Sequence, residues 1–313
     1  MGRGLNSAIL VAWTCLCALA ALPGTTAAAP LEPFGQINTV LSGTTISLSD
    51  DGRLELLDRV AVRGRIPIPG EGQRVTVTVR RDGRVVLRRR VRTDPASGRY
   101  RMPLKLRWCC RFTVQASHGS DHSAPLAFEV RPPATLTQGP QALLFNSLLR
   151  EAGYHMGSVT DRVDESTTLG ILALRKVIGL PWSDTYEPEL YKALLRGGAR
   201  FEPEHTEDGR HVEVDLDRQV MALVEDGRAT DVFHISSGAG GNPTGEFSFY
   251  LKGPGYNAKG MYYSVYYDGN YATHGFSSVP TYPASHGCIR NSIAYAVYVY
   301  NWIELGDSIY VYH

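Results

Sequence analysis

Cysteine is scarce in this chain of 313 residues, which contains only five. Two of them, Cys15 and Cys17, lie in an N-terminal apolar run, and the rest of the chain holds Cys109, Cys110 and Cys288. An odd number of cysteines excludes complete disulfide pairing within one exported chain, so at least one thiol stays free. Because Cys109 and Cys110 are adjacent, we interpret Cys288 as the unpaired one.

A run of apolar residues long enough for an ordinary membrane span is also missing. Residues 1–28 begin with Arg3, continue through about 15 apolar residues and end in small residues, which is the layout of a secretory signal, whereas a span needs about 20 apolar residues. No Arg-Arg pair precedes the run, and neither cysteine in it has the small neighbours expected for lipid attachment. We expect cleavage near Ala28 and secretion to the periplasm or cell wall; an uncleaved anchor is the alternative.

The chain has little net charge, since its formal value is +1, but the charge is unevenly distributed. Residues 53–111 contain 17 Lys and Arg and only 5 acids. Such a basic segment predicts attraction to an anionic polymer, and the alternative is a set of strand faces lined with solvated arginines. No nucleic-acid recognition motif accompanies the charge, so nucleic acid is not expected as a partner.

Residues 36–132 alternate apolar and polar side chains with the period of two that is typical of strands. Residues 74–87 predict a hairpin with its turn at Asp82-Gly83. Several short strands of this kind indicate a small, immunoglobulin-like β-sandwich. A strand through residues 104–114 would turn the two adjacent cysteines to opposite faces, with one of them in the core; a vicinal disulfide is the alternative.

A proline-containing linker at 131–134 precedes a change to the helical period over residues 138–200. This segment resembles the three-helix peptidoglycan-binding module of cell-wall enzymes. The matching stretches are Leu148 to Tyr154, Val163 to Thr167, Ala173 to Leu180 and Leu190 to Leu194. The usual Phe-Gln before the Gly-Leu step is replaced, here by Leu174-Arg175 or Lys176-Val177. The resemblance implies peptidoglycan binding, and a degenerate copy that serves as a spacer is the alternative.

Residues 208–313 begin with two strand-like stretches, 211–216 and 219–224, which flank a short turn and predict a tight hairpin. A further strand at 232–236 runs into a loop at 237–245 that is too rich in glycine to be regular. This loop lacks the Lys-Ser/Thr ending of a phosphate-cradling loop, so nucleotide binding of that type is not supported.

Cys288 lies in the stretch Ser285-His286-Gly287-Cys288-Ile289-Arg290, just before a helix-like run that Asn291 or Ser292 would cap. A thiol near a helix N-terminus has a lowered pKa, and unpaired backbone N–H groups there stabilise an oxyanion. Gly287 permits close approach of a substrate to the backbone. A second His-Gly step, His274-Gly275, accompanies this stretch. The pattern indicates a nucleophilic cysteine rather than a half-buried structural one.

These two His-Gly steps strongly resemble the catalytic domain of the L,D-transpeptidases, the YkuD domain, and the resemblance covers about 100 residues. It implies that Cys288 is the nucleophile and His274 the base, with the Gly275 carbonyl oxygen accepting a hydrogen bond from the other ring nitrogen. It also implies that His286 and Gly287 line the site and that backbone N–H groups of Gly287 and Cys288 face the oxyanion. The expected substrate-binding residues are Arg290, Tyr263 and Ser285, with Tyr263 in a tyrosine cluster that forms either an aromatic wall or an ordinary strand face.

The resemblance further implies a mainly β catalytic domain at 208–313, a YkuD-like β-sandwich with a short helix after the cysteine. Its substrates would be peptidoglycan stem peptides. Cys288 would attack the carbonyl of the L-centre of the third stem residue, D-alanine would leave, and an amine of a second stem would resolve the thioester into a 3→3 cross-link. No cofactor or metal is expected, since a thiolate and backbone donors suffice. The chain is expected to be a monomer, with anionic wall polymers as possible partners of the basic segment.

Three other readings stay open: a carboxypeptidase that uses water as acceptor, an enzyme that attaches a protein to the wall, and an inactive wall-binding protein. The sequence also departs from the family in two places. The usual Thr-Pro-x-Gly is replaced by Asn242-Pro243-Thr244-Gly245, which puts the shape of that loop in doubt. His274 and Cys288 are only 14 positions apart, which predicts a small cover over the site.

Overall fold

The computed structural model describes residues 38–43, 53–56, 59–105 and 107–313. The described residues form a mainly β structure, which confirms the predicted fold class. The predicted secretory signal at 1–28 lies outside them. Within the described ranges, no helix combines the length and the apolar character that a membrane crossing requires.

The N-terminal strands form two sheets. The first nine strands are β1 Asn38–Gly43, β2 Arg53–Glu55, β3 Arg59–Arg65, β4 Arg74–Arg81, β5 Arg84–Arg92, β6 Arg99–Lys105, β7 Cys110–His118, β8 Asp121–His122 and β9 Leu126–Arg131. One sheet has the order β1-β3-β6, and the other has the order β2-β9-β7-β4-β5, with β8 paired to β7. The predicted hairpin is present as β4 and β5, which pair antiparallel. The immunoglobulin-like description of 36–132 stays a prediction, because part of that range is not described.

The expectation of one continuous strand through the adjacent cysteines is wrong. Strand β7 begins at Cys110, whose φ of 102° lies in the left-handed region and interrupts the alternation there. Cys109 is nevertheless buried and Cys110 half-buried, as the predicted opposite orientations require. Both thiols are free, as is that of Cys288.

Three helices follow: α1 Pro140–Glu151, α2 Glu165–Val177 and α3 Pro188–Arg196. Proline begins α1 and α3, where its fixed φ suits the first helical turn and its missing N–H is not needed. Asp164 caps α2, since its carboxylate accepts a hydrogen bond from the Thr167 N–H at 3.1 Å. The helix thus begins at Glu165, directly after its cap.

The last nine strands and one helix build the remaining two sheets. They are β10 His211–Asp215, β11 Val220–Glu225, β12 Arg228–His234, β13 Gly245–Ser248, β14 Leu251–Tyr256, β15 Tyr262–Asp268, β16 Tyr271–Phe276, β17 Ile289–Ser292, α4 Ile293–Trp302 and β18 Ser308–Tyr312. The sheet orders are β12-β11-β10-β18-β13 and β14-β15-β16-β17. The predicted hairpin is confirmed, since Val214 of β10 pairs with Met221 of β11. Val212, Val265 and Ile289 belong to the core shared by these elements.

The helical segment packs directly on this C-terminal unit. Residues around Tyr154 extend along β12, where the His155 N–H donates to Val232 O at 3.2 Å and the Val232 N–H donates to Gly153 O at 2.8 Å. The ring of His155 is also held, because its Nδ1 lies 2.6 Å from the Asp231 carboxylate. The segment is therefore part of one packed body, and its binding of peptidoglycan stays a prediction.

Lys176 of α2 is the polar link between the helices and the C-terminal sheets. Its side chain is buried, with Nζ donating to Gln219 O at 3.0 Å, to Ile235 O at 3.3 Å and to His234 Nδ1 at 2.8 Å. His234 Nε2 donates to Val279 O at 3.0 Å, so the imidazole is neutral and Nδ1 is its acceptor. Burial lowers the pKa of Lys176 to about 7 and that of His234 to about 4. Three acceptors thus surround the buried Lys176 amine.

Replacing Lys176 with Met should flatten the pH dependence of stability between pH 7 and 10.5. In that window the unfolded chain keeps the Lys176 proton, because the ordinary pKa is 10.5, whereas the folded chain loses it at about 7. The unfolded state therefore binds more protons, and the free energy of unfolding rises with pH. Urea unfolding across the window measures this slope. The exposed Lys192, changed to Met, serves as control and should keep the parent slope; an unchanged slope in the Lys176 variant would contradict the assignment.

Candidate active site

Two strands bring the separated histidine and cysteine together. Strands β16 and β17 pair in parallel, with Thr273 opposite Ile289 and His274 opposite Arg290, so Cys288, which directly precedes β17, lies beside the beginning of β16. Both side chains open into one cleft of about 450 Å³. The cleft is lined by Lys259, Met261, Asn270, Tyr271, His274, Phe276, Ser285, His286, Cys288 and Arg290.

His274 is buried and held in one orientation. Its Nδ1 donates to Gly275 O at 2.9 Å, as the family pattern implies for the Gly275 carbonyl. This bond fixes the tautomer whose lone pair is on Nε2. Burial lowers the pKa of His274, with a smaller contribution in the same direction from the Arg290 charge. The residue is therefore a neutral imidazole with an available basic nitrogen.

Cys288 is a protonated thiol at rest. Its side chain is half-buried, and Sγ donates to Asn270 O at 3.6 Å. Burial raises the pKa of Cys288, while the charges of Lys259 and Arg290 act against that rise. The site thus pairs a neutral thiol with a neutral imidazole.

The expected lowering of the Cys288 pKa by a helix N-terminus is wrong. Ser292 does cap α4, since its Oγ accepts from the Ala294 N–H at 3.2 Å. Strand β17 nevertheless occupies residues 289–292, between the cysteine and the helix. The effect of a helix dipole fades beyond its first turn, so Cys288 is too far along the chain to feel it strongly.

Ser285 holds the backbone of the cysteine loop, by which we mean the loop that connects β16 to β17 and ends at Cys288, through two hydrogen bonds. The residue is buried, its Oγ donates to Cys288 O at 2.6 Å, and the same oxygen accepts from the Gly287 N–H at 3.0 Å. The Gly287 N–H is therefore engaged, contrary to the expectation that it faces an oxyanion. We find no acceptor in the described part of the chain for the Cys288 N–H, which leaves that donor for the substrate.

The other predicted residues divide into two groups. His286 is exposed and Arg290 half-buried, and both line the cleft, with the Arg290 guanidinium 4.2 Å from the centroid of the Phe276 ring. Tyr263 is placed elsewhere: its ring packs edge-on against Tyr300, with centroids 4.9 Å apart, and it is not among the residues that line the cleft.

Tyr271 and Phe276 supply the aromatic surface of the cleft in place of Tyr263, and Lys259 and Met261 supply a further wall. The sequence contains no signal that separates these two aromatic residues from the other members of the tyrosine-rich stretch. Tyr271 begins β16, beside the residues that precede β17, whereas Phe276 ends β16 opposite Ser292.

Gln219 and Ser237 form a support that sequence reasoning missed. Gln219 is buried, its Nε2 donates to Ser237 Oγ at 2.7 Å, and its Oε1 accepts from the Ser237 N–H at 2.8 Å. Ser237 O in turn accepts from the N–H groups of Ala284 and Ser285, both at 2.9 Å. A glutamine in a hairpin turn gives no sequence signal of this role, because Ser237, which it supports, is 18 residues away.

Asn242 supports the other side of the loop. Its Oδ1 accepts from the Gly238 N–H at 2.7 Å, and its Nδ2 donates to Gly287 O. Asn242 replaces the threonine of the usual Thr-Pro-x-Gly pattern. Its side-chain amide therefore joins the glycine-rich loop to the cysteine loop.

Gly287 occupies a position that other residues fit poorly. Its φ of 124° lies in the region that favours glycine, and a Cβ added there would lie 2.4 Å from Cε1 of Tyr271. The tight contact sets the Tyr271 ring against the cysteine loop.

We expect Gly287→Ala to reduce turnover about 100-fold, because a shift of about 1 Å in a reacting group is enough for such a loss. The control is Gly240→Ala, at a nearby exposed glycine where an added Cβ meets nothing within 4 Å. Steady-state turnover, with circular dichroism as a check of folding, measures the difference. Full activity in the Gly287 variant would show that the close contact is dispensable.

A family model described as the L,D-transpeptidase catalytic domain, YkuD, matches residues 209–311. The chain is similar to the crystal structure of an L,D-transpeptidase from Xylanimonas cellulosilytica, with 32% identity and a TM-score of 0.53. That match covers 57% of this chain and 97% of the other, so the likeness extends N-terminal to residue 209.

Two further L,D-transpeptidase structures are similar at lower identity. The one from Stackebrandtia nassauensis has 19% identity and a TM-score of 0.37, covering 58% of this chain and 97% of its own. The one from Mycobacterium tuberculosis has 14% identity and a TM-score of 0.31, covering 83% of this chain and 93% of its own. Among curated proteins, no sequence matches this chain.

Proposed function

The chain belongs to the L,D-transpeptidase family and carries its YkuD catalytic domain, and from that membership we propose that Cys288 and His274 carry out a two-step acyl transfer on peptidoglycan stem peptides. The observation that supports the assignment of these two residues is their shared cleft, in which the Gly275 carbonyl leaves His274 Nε2 free to accept a proton. The enzyme is an L,D-transpeptidase, and its general task is peptidoglycan cross-linking.

The first step acylates the cysteine. The Cys288 thiol turns from Asn270 O toward His274 and gives its proton to Nε2 as Sγ attacks the carbonyl carbon of the third stem residue at its L-centre. The C–N bond to the terminal D-alanine breaks, and the same imidazole returns the proton to the departing amine. The product of this step is a thioester on Cys288.

The second step regenerates the thiol. An amine from a second stem attacks the thioester carbonyl, the C–S bond breaks, and the proton lost by the amine passes through His274 to Sγ. When the amine belongs to the third residue of its stem, the new bond is a 3→3 cross-link.

Other groups in the cleft serve binding and charge stabilisation. The Cys288 N–H is the backbone donor for the developing oxyanion. Arg290 and Lys259 bring two positive charges to the cleft, which suits the carboxylates of a stem peptide. Action outside the cell membrane accords with the secretory signal that we predict at 1–28.

Intact mass spectrometry with a carbapenem, a β-lactam that acylates this family, tests the nucleophile. We expect one adduct on the wild-type protein and none on the Cys288→Ala variant. Cys110→Ala is the matched control, because it removes another half-buried thiol, and it should still gain the adduct. An adduct that persists without Cys288, or a folded wild-type protein that gains none, would overturn the assignment.

The same assay tests the base. His274→Ala should slow the appearance of the adduct by a factor of about 10² to 10⁴, the range for loss of a general base. His286→Ala, which removes an exposed histidine from the same cleft, should have a much smaller effect. Equal acylation rates in the wild type and the His274 variant would exclude His274 as the base.

A purified disaccharide carrying a tetrapeptide stem tests the acceptor. We expect dimers with a 3→3 bond and one released D-alanine per bond, resolved by liquid chromatography and mass spectrometry. Release of D-alanine with only tripeptide monomers would instead identify an L,D-carboxypeptidase. Cys288→Ala should form neither product.

A further inference from the structure

The outer faces of the N-terminal sheets carry a continuous band of arginines. We call it the arginine belt and define it as Arg88, Arg90 and Arg92 of β5 with Arg63 of β3 and Arg99 and Arg101 of β6. All six side chains are exposed. Arg88 and Arg90 line one depression of the surface, and Arg92 lines another together with the belt arginines of β3 and β6 and with Arg65. Strand β5 thus joins the two depressions into one surface.

The strand register places like charges directly opposite one another. Arg63 pairs with Arg101, and Arg65 pairs with Arg99 across β3 and β6. Arg74 pairs with Arg92 across β4 and β5. Like charges opposite each other on neighbouring strands destabilise a sheet. None of the six belt arginines forms an ion pair with a carboxylate of the described residues, although the Arg99 charge contributes to lowering the pKa of the exposed Asp94 carboxyl.

The side chains between the arginines suit an anionic chain. Thr76, Thr78, Gln115 and Ser117 lie beside Arg88 and Arg90 in the first depression. These are hydrogen-bonding residues, and the rings that line the two depressions are those of His122, which is exposed, and Tyr100, which is buried, so the belt lacks the row of exposed rings on which successive nucleic-acid bases would stack. Alternate residues of a strand are about 7 Å apart on one face. The belt therefore presents regularly spaced guanidinium groups, which bind phosphate or carboxylate oxygens in bidentate fashion.

We propose that the arginine belt binds a linear anionic polymer of the cell wall, one that carries a phosphate or carboxylate in each repeat. The choice of a wall polymer rests on the proposed function, since the peptidoglycan substrate lies in the same layer. Bound along β5, such a polymer neutralises the paired arginines and holds the enzyme beside its substrate while the catalytic cleft stays open.

A competing explanation is that the arginines only protect an edge. Strand β5 ends its sheet, and charges on an edge strand prevent pairing with other chains. In that case the arginines act only by repelling other copies of the protein. The explanation then predicts no affinity of the belt for polyanions at physiological salt. The two explanations therefore differ in a direct binding measurement.

The test uses the full mature chain and its variant Arg88→Gln/Arg90→Gln. The matched control is Arg162→Gln/Arg228→Gln, which removes the same charge from two exposed arginines outside the belt. Fluorescence anisotropy at several salt concentrations measures binding to labelled polyphosphate and to labelled polyglutamate. We expect the belt variant to bind about tenfold more weakly with a shallower salt dependence, as loss of two phosphate contacts predicts, and the control to bind as the wild type does.

The two polymers distinguish the source of the anion: preference for polyphosphate indicates a phosphate polymer, and preference for polyglutamate a carboxylate polymer. Three results would overturn the proposal: no binding by the wild type, equal binding by the belt variant, or binding confined to single-stranded DNA or to phosphatidylglycerol vesicles. Carbapenem acylation of Cys288 should be unchanged in both variants, so failure of the belt and failure of the proposed catalysis give different outcomes.

Discussion

The parallel pairing of β16 with β17 decides where the chemistry of this protein lies. It sets His274 opposite Arg290 and brings Cys288 beside the beginning of the neighbouring strand. Neither histidine nor cysteine depends on the other for its position, because backbone hydrogen bonds hold both strands. The supporting bonds from Gln219, Ser237, Asn242 and Ser285 act on this pairing by fixing the loop that connects the two strands.

Burial of the catalytic pair determines its resting charge. It raises the pKa of the Cys288 thiol and lowers that of the His274 imidazole, so both groups are uncharged before substrate binds. An uncharged thiol is a poor target for oxidation, since the thiolate is the reactive form. The arrangement thus protects the nucleophile from oxidation and makes it reactive when a substrate carbonyl lies within reach of the proton transfer.

Much of the C-terminal unit was predictable from sequence, because its signals are local. The hairpin of β10 and β11, the cap at Ser292 and the Ser-His-Gly-Cys stretch all involve residues close together in the chain. The role of Gln219 was not predictable, since its partners come from other elements. Tyr263 was misjudged for a related reason: alternation along a strand predicts two faces but does not say which of them meets the cleft.

The predicted lowering of the Cys288 pKa is wrong because burial raises that pKa, and burial cannot be read from the position of a cysteine in the chain. A run of residues after the cysteine suggested a helix dipole, and the four residues of β17 between them remove most of that effect. Desolvation depends on the packing of Tyr271 and the cysteine loop, which no short stretch of sequence contains. The arginine excess, in contrast, was visible in the composition, whereas its organisation into opposed pairs required the register of β3 with β6.

The central position of β18 in its sheet affects when the catalytic domain can finish folding. The strand lies between β10 and β13 in the centre of its sheet and pairs in parallel with β10, although about 90 residues separate the two strands. As the chain emerges from the ribosome, His274 and Cys288 are made before the strand that completes the neighbouring core. Contacts this distant in sequence form slowly. The catalytic domain therefore completes its folding only after residues 308–312 have been synthesised, so the nucleophile and the base exist in the nascent chain before the sheet that supports them is complete.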